Sequence, residues 1–382
     1  MTEDVAVVGV GIHPFGRHEG VTGLQMAAVA ARRALADAGV RWEEVDFAAG
    51  GSDAGGNADT SVASLGLTGL PFINVKNGCA TGGSALTTAH AMLVSGQAEV
   101  ALVVGFDKHP PGAFNPLPED WGIGSWYGET GLMLTTQFFA MKIQRYMAEH
   151  GITPSTLAKV ASKAFANGSR NANAWRRKPL SEDEVLASKM VNHPLTQYMF
   201  CSPGEGAVAL VLARGARIWE LARTPIYLRS VAFRTRRFGS FEVFSPSVPI
   251  ESAPSATSEA AAAAFEQAGI EPKDVDVAQV QDTESGAEVM HMAETGLCEH
   301  GEQEALVQSG ATGLGGRLPI NTDGGCLANG EPIGASGLRQ VHEVVLQLRG
   351  DAGDRQIPGP PRVGFTQVYG APGVSACTVL TV

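Results

Sequence analysis

The order of apolar and polar residues divides the chain into short strand-like runs and longer helical stretches. Asp4 to Val10 reads as a strand, and Gly23 to Ala38 reads as a helix stopped by Gly39. Val45 to Ala49 and Phe72 to Val75 are strand-like. Ser84 to Val94 reads as a helix of mostly small residues, followed by a strand from Val100 to Gly105. Alternation of this kind predicts an α/β sheet with crossover connections.

The second half repeats the plan. Ala36-Asp37-Ala38-Gly39-Val40 is echoed by Glu266-Gln267-Ala268-Gly269-Ile270. Asn74-Val75-Lys76-Asn77-Gly78-Cys79 is echoed by Asn321-Thr322-Asp323-Gly324-Gly325-Cys326, and Val104-Gly105-Phe106 by Val363-Gly364-Phe365. Three echoes in one order, with a slowly growing offset, predict an internal duplication. Between the halves lies a segment of other character, Phe114 to Ala213. It holds helical patterns around Leu132 to His150 and from Pro154, with Thr153 or Ser155 as cap, and a polar stretch Asn167 to Lys178 that reads as a surface loop. The expected division is a first half over 1–113, a loop domain over 114–213 that returns to the first half near its end, and a second half over 214–382.

Composition narrows the class. The 382 residues are 44% apolar and only 18% charged, so the chain packs a core rather than staying disordered. A net charge of −11 argues against nucleic acid and against an anionic membrane surface. Apolar runs such as Val100 to Phe106 fall far short of the ~18 residues a spanning helix needs. The acidic start Met1-Thr2-Glu3-Asp4 lacks the basic region of a secretory leader. Cys79, Cys201, Cys298, Cys326 and Cys377 are odd in number and lack metal-like spacing, which fits free thiols in a reducing cytoplasm and no bound metal.

Three stretches can carry chemistry. Cys79 lies between a strand and a helix among Gly78, Ala80, Gly82 and Gly83. A helix N-terminus favours the thiolate, and small neighbours admit a substrate carbonyl. The other four cysteines read as buried structural thiols. Glu331 stands between Gly330 and Pro332 in an otherwise uncharged loop that begins at Asn321. A carboxylate desolvated there would have a raised pKa and could act as acid or base. Gly364 to Gly373 is a strand entering a Gly-Pro turn, in which Tyr369 can donate a proton and amides around Gly370 can hold an oxyanion. The histidines His13, His18, His109, His150, His193, His300 and His342 read as turn or polar-face residues. Gly9-Val10-Gly11 lacks the third glycine and the following helix of a dinucleotide site.

Taken together these stretches resemble the thiolase superfamily, in particular its sterol-carrier-protein-x and lipid-transfer-protein branch. Asn77-Gly78-Cys79-Ala80-Thr81-Gly82 is similar to the family's nucleophile segment. Lys159 to Asn171 resembles the loop-domain helix, Cys201-Ser202-Pro203-Gly204-Glu205-Gly206-Ala207 a Cys-Pro-Thr-Ser-Asp-Gly-Ala segment, and Asn321 to Gly337 the N-x-x-G-G…G-H-P-x-G-A-x-G signature. The resemblance implies a thiolase fold with a duplicated five-layer α-β-α-β-α core and an inserted loop domain. It also implies a homodimer and a substrate held as a coenzyme A thioester, with no other cofactor.

Departures from the family bear on the reaction. Glu331 stands where the family's G-H-P histidine activates the cysteine. The motif H-D-C-F or H-N-E-A-F reads Gln281-Asp282-Thr283-Glu284, and the final Cys-x-Gly is replaced near Tyr369-Gly370. A carboxylate beside a forming thiolate opposes it, whereas retro-aldol cleavage needs a base and an oxyanion support. The leading expectation is retro-aldol cleavage of a β-hydroxyacyl-CoA with a steroid-like or branched acyl group. Glu331 would be the base, and Tyr369 with the turn amides the acid and support. A divergent 3-ketoacyl-CoA thiolase using Cys79 is the alternative, and a silent acyl-CoA-binding scaffold the third. The resemblance extends to steroid side-chain aldolases, which implies a small partner subunit with an OB-fold and a zinc-ribbon-like element. Asn321 is an expected substrate-site residue. The basic run Arg170, Arg176, Arg177 and Lys178 is expected at the mouth of the coenzyme A channel.

Overall fold

The structure is a computed structural model that describes residues 4–112, 114–221, 224–240, 242, 253–371 and 373–382. β1 (Val5–Gly16) is longer than the apolar run alone predicts. Its glycines explain why: a Cβ on Gly9 would strike the Ala34 carbonyl, and one on Gly11 the Ala30 carbonyl. The helix Gly23–Ala38 lies directly on this strand, so the Gly-Val-Gly pattern serves close packing. Thr22 caps that helix in a capping box with Gln25, and Gly39 ends it in the left-handed conformation at φ 67°.

The other strands are β2 (Phe47–Gly51), β3 (Phe72–Asn74), β4 (Val100–Lys108), β5 (Met190–Asn192), β6 (Leu195–Thr196), β7 (Glu205–Arg214), β8 (Ile226–Thr235), β9 (Val277–Val280), β10 (Val363–Gly370) and β11 (Val374–Thr381). β5 and β6 form a small hairpin. The rest join in the order β3-β2-β4-β7-β1-β8-β11-β10-β9. Only two residue pairs, Ala6–Tyr227 and Val7–Ile226, connect β1 to β8, so the sheet consists of two sub-sheets. They are built alike. In the first, β3, β2 and β4 run parallel, with β7 and β1 antiparallel beyond them. In the second, Ile320 bridges β9 in parallel, β10 is parallel to β9, and β11 and β8 follow antiparallel. The sequence echoes fall on matching places in this duplicated topology.

Helices Thr81–Val94 and Ile333–Arg349 pack on each other and reach strands of both sub-sheets, forming the middle layer. Helix Gly23–Ala38 covers the outer face of the first sub-sheet and helix Ala256–Ala268 that of the second. The result is the five-layer α-β-α-β-α arrangement. The main core joins Val7, Leu86, Val103, Leu210, Leu338 and Val345 across the middle layer.

Helices Thr135–His150 and Pro154–Ser169 belong to the inserted segment, and Thr153 caps the second. Their own apolar cluster includes Phe138, Ile143, Leu157 and Val160 and extends to Val289 and Leu327 of the second half. The stretch after them is only in part the surface loop expected from its polarity: Arg170, Arg177 and Lys178 are exposed, but two of its asparagines turn inward. Asn167 donates to the Asn321 carbonyl at 3.1 Å and Asn171 to the Asp323 carbonyl at 3.0 Å, both side chains buried. Their amides add second donors to buried backbone carbonyls of the Asn321–Gly337 loop, which also accept from the Gly324 amide and the Asn329 side chain.

Candidate active site

Cys79 sits at the apex of a tight turn leading into the helix Thr81–Val94. The Thr81 hydroxyl donates to the Gly78 carbonyl at 2.7 Å and accepts from the Asn77 amide at 2.9 Å, closing the turn. The glycines that follow serve the helix crossing: a Cβ on Gly82 would lie 2.9 Å from the Leu338 amide nitrogen. Burial, and then the Glu331 carboxylate beside it, push the Cys79 thiol well above its ordinary value. The helix end favours a thiolate, but burial and a neighbouring negative charge outweigh it.

Glu331 is fully buried. Its amide donates to the Ser202 carbonyl at 2.8 Å, and its carbonyl accepts from the Gly204 amide at 3.2 Å. The loop is thereby stitched to the segment Cys201–Gly204. The Cys201 thiol donates to Oε2 at 3.2 Å, the Gln281 amide donates to Oε1, and Cys79 is a further side-chain partner. Burial still pushes Glu331 above the usual carboxylate range despite these donors. The arrangement is a carboxylic acid/carboxylate centre ringed by two protonated thiols and an amide.

The segment Gln281–Glu284 forms the far side. The Cys201 amide donates to the Thr283 carbonyl at 2.9 Å, and Phe200 bridges Glu284. Asp282 accepts from the Cys326 amide at 2.6 Å and the Leu327 amide at 3.2 Å, yet burial raises it to about 8. Glu284 accepts from the Gly286 amide and is likewise raised by burial to about 8. The Gln281 side-chain oxygen Oε1 is buried with no hydrogen-bond partner. His109 is buried too, its ring edge-on to Phe114.

The remaining candidates spread around this centre. Gly370 abuts the Cys79 turn: a Cβ there would lie 2.5 Å from the Asn77 carbonyl oxygen and 2.7 Å from the Ala80 nitrogen. Tyr369 is buried, its hydroxyl donates to Glu242 at 2.8 Å, and Lys142 stands 5.2 Å from its ring centre. Pro372, in the same turn, lies outside the described residues. Asn321 has φ 55°, the one positive value at a non-glycine among the described residues. Its side chain accepts from the Val280 amide at 3.0 Å and donates to Glu288 at 2.8 Å, so both ends are engaged in fixing the loop. Arg176 turns inward, donating to the Leu327 carbonyl at 2.9 Å and to the Ser202 hydroxyl. Arg170, Arg177 and Lys178 are exposed.

A pocket of about 160 Å³ opens next to this centre. Phe114, Phe139 and Phe200 wall it, and Cys201, Ser202 and Thr283 form its polar side. Sequence reasoning found Cys79 and Glu331 but passed over Cys201, Gln281 and His109. Cys201 and Gln281 were visible as members of the segments that match the family's motifs. Their convergence on one carboxylate is a tertiary fact that spacing does not encode. Among the described residues no group of three or more His, Cys, Asp or Glu is placed to hold a metal ion.

Comparison with known proteins agrees with the geometry. Residues 5–179 match the thiolase N-terminal domain, and residues 250–381 the thiolase C-terminal domain-like family. Human sterol carrier protein 2 is 33% identical over 93% of this chain and 68% of its own length. An acetyl-CoA acetyltransferase of Methanothermobacter thermautotrophicus is 32% identical over 98% of both chains. In fold, the chain is similar to a solved Ltp2-ChsH2(DUF35) aldolase, with a TM-score of 0.88 at 23% identity over 99% of this chain and 98% of that one.

Proposed function

This chain belongs to the thiolase family, and from that premise we propose that it is an enzyme cleaving a carbon–carbon bond in a coenzyme A thioester by retro-aldol chemistry. The observation that carries the reading is the buried Glu331 carboxyl, held by Cys201 and Gln281 and facing Cys79. Glu331 removes the proton from the β-hydroxyl of a β-hydroxyacyl-CoA. The oxygen lone pair becomes a carbonyl bond, the Cα–Cβ bond breaks, and its electron pair passes into a thioester enolate. Protonation at the α-carbon then gives a shortened acyl-CoA and a ketone or aldehyde.

The turn at Gly370, packed on the Cys79 loop, is where backbone amides would serve the thioester oxygen. Tyr369, bonded to Glu242, holds that turn. Coenzyme A enters as part of the substrate, and the exposed Arg170, Arg177 and Lys178 are its candidate phosphate contacts, with Arg176 as a brace beneath them. The acyl group in this reading is branched or steroid-like. The working form is a cytoplasmic homodimer that binds a small partner with an OB-fold and zinc-ribbon-like element, by analogy with the DUF35 component named in the aldolase complex.

A thiolase reading draws on Cys79 at a helix N-terminus and on the acetyltransferase relative. Against it, the carboxylate beside the sulfur opposes the thiolate that acyl transfer requires. Paired β-hydroxyacyl- and β-ketoacyl-CoA substrates, each with and without free coenzyme A, separate the two. Cleavage of the hydroxy substrate without added coenzyme A is the expected result. Cleavage confined to the keto substrate and dependent on coenzyme A would establish the thiolase instead, and no turnover of either would leave the scaffold role.

A further inference from the structure

The proton that ends the reaction needs a donor meeting three conditions: protonated at working pH, facing the open pocket beside the base, and able to recover its proton. Cys201 meets all three. Its sulfur bonds to Glu331 at 3.2 Å, and its residue lines the 160 Å³ pocket between Phe114, Phe139 and Phe200. Cys79 also neighbours Glu331 but is not part of that pocket wall. Two backbone bonds hold the segment in place, from the Cys201 amide to Thr283 and from the Glu331 amide to Ser202. Burial and the neighbouring carboxylate keep Cys201 a thiol, so it is suited to giving a proton rather than attacking a carbonyl. The buried side-chain oxygen Oε1 of Gln281, without a partner, lies in the same centre, a polar atom left for a ligand or water to satisfy.

We propose that Cys201 is a catalytic residue that delivers the proton to the α-carbon of the thioester enolate. The inference rests on the retro-aldol reading for its place in the sequence of steps. The S–H bond breaks and a C–H bond forms, leaving a thiolate. Glu331, protonated by the β-hydroxyl, returns that proton to the sulfur, and both groups regain their starting state.

The microscopic reverse supplies a test that does not require cleavage. Propionyl-CoA incubated with the full-length protein in D2O should gain deuterium at C2, read by mass spectrometry. Cys201→Ala should slow this exchange at least about 100-fold, the scale of a lost general acid. Cys298→Ser should not change it, because Cys298 belongs to the apolar cluster around helix Ala256–Ala268. Exchange by Cys201→Ala within about threefold of wild type, or no exchange by wild type, would overturn the proposal. A second probe works on the unmodified chain. Bromoacetyl-CoA is electrophilic at the α-carbon; sulfur displaces bromide, and the thiol proton passes to Glu331. Peptide mapping should find the adduct on Cys201, and an adduct on Cys79 alone would overturn the assignment. If wild type exchanges the C2 proton but does not cleave a β-hydroxyacyl-CoA, the retro-aldol reading fails while the role of Cys201 in carbon–proton chemistry stands.

Discussion

A carboxyl group at position 331 is pulled in two directions. Burial favours its neutral form, and donors from Cys201, Gln281 and Cys79 favour its anion, with burial the larger effect. If the carboxylate is the base, the rate must fall as pH drops through its raised pKa. The acid limb of kcat/KM for hydroxyacyl cleavage should therefore lie above the ordinary glutamate value of about 4.3. A measured limb at or below that value would contradict the assignment. Glu331→Gln should lower kcat by at least about a thousandfold, because a base, not merely a hydrogen bond, is removed. Cys79→Ala should cost only about tenfold, the loss of one bond that orients the base. Equal losses in the two variants, or an acyl adduct trapped on Cys79, would favour thiol catalysis. Both residues were legible in the sequence: one as a thiol among small residues, the other as a charge isolated in an uncharged loop. Cys201 was not, since a cysteine's chemistry depends on what faces it, and the faces here come from residues 130 positions away.

Elements were most legible where local chemistry alone decides them. The helix Gly23–Ala38 was predicted with both ends correct, its stop marked by Gly39, and the structure adds Thr22 as the cap of its start. The helix Thr81–Val94 begins three residues before the apolar pattern does, since its first turn, Thr81-Gly82-Gly83, packs through glycine backbone against Leu338 and Ala376 and so carries no apolar side chain to read. The stretch Asn167 to Lys178 misled because asparagines in a loop read as solvated, while here they satisfy buried carbonyls. Glu284 caps the helix Ser285–Glu294 from a fully buried position and is raised from 4.5 to about 8. A group that holds its proton more tightly in the fold than in the unfolded chain stabilises at low pH. That contribution is lost as pH rises from about 4.5 towards 8. Glu284→Gln keeps an acceptor for the Gly286 amide but cannot ionise. Melting curves across this window should show a shallower decline in Tm for the variant than for wild type. Asp282, raised by the same burial to about 8, should retain part of the slope. A slope unchanged by the substitution would mean that Glu284 ionises as freely folded as unfolded.

At the scale of the whole molecule, the duplication was readable because three short echoes kept their order, and the topology repeats strand for strand around them. The two copies differ at their outer edges, which no echo reveals. In the second half the position matching β3 is Ile320, which bridges β9 and is fully buried. In the first half β3 itself is the open edge of the sheet, with Ile73 43% exposed and Leu67 85% exposed nearby. An uncharged edge strand of Phe72, Ile73 and Asn74 offers unpaired backbone groups to another chain. Antiparallel pairing of this edge with its own copy satisfies a two-fold axis and removes the exposed groups in both subunits. Light scattering at micromolar concentration should accordingly give twice the chain mass. Ile73→Lys places a charge on the edge without touching the core and should shift the protein to monomer. A wild-type monomer, or a dimer indifferent to that substitution, would remove β3 as the seam.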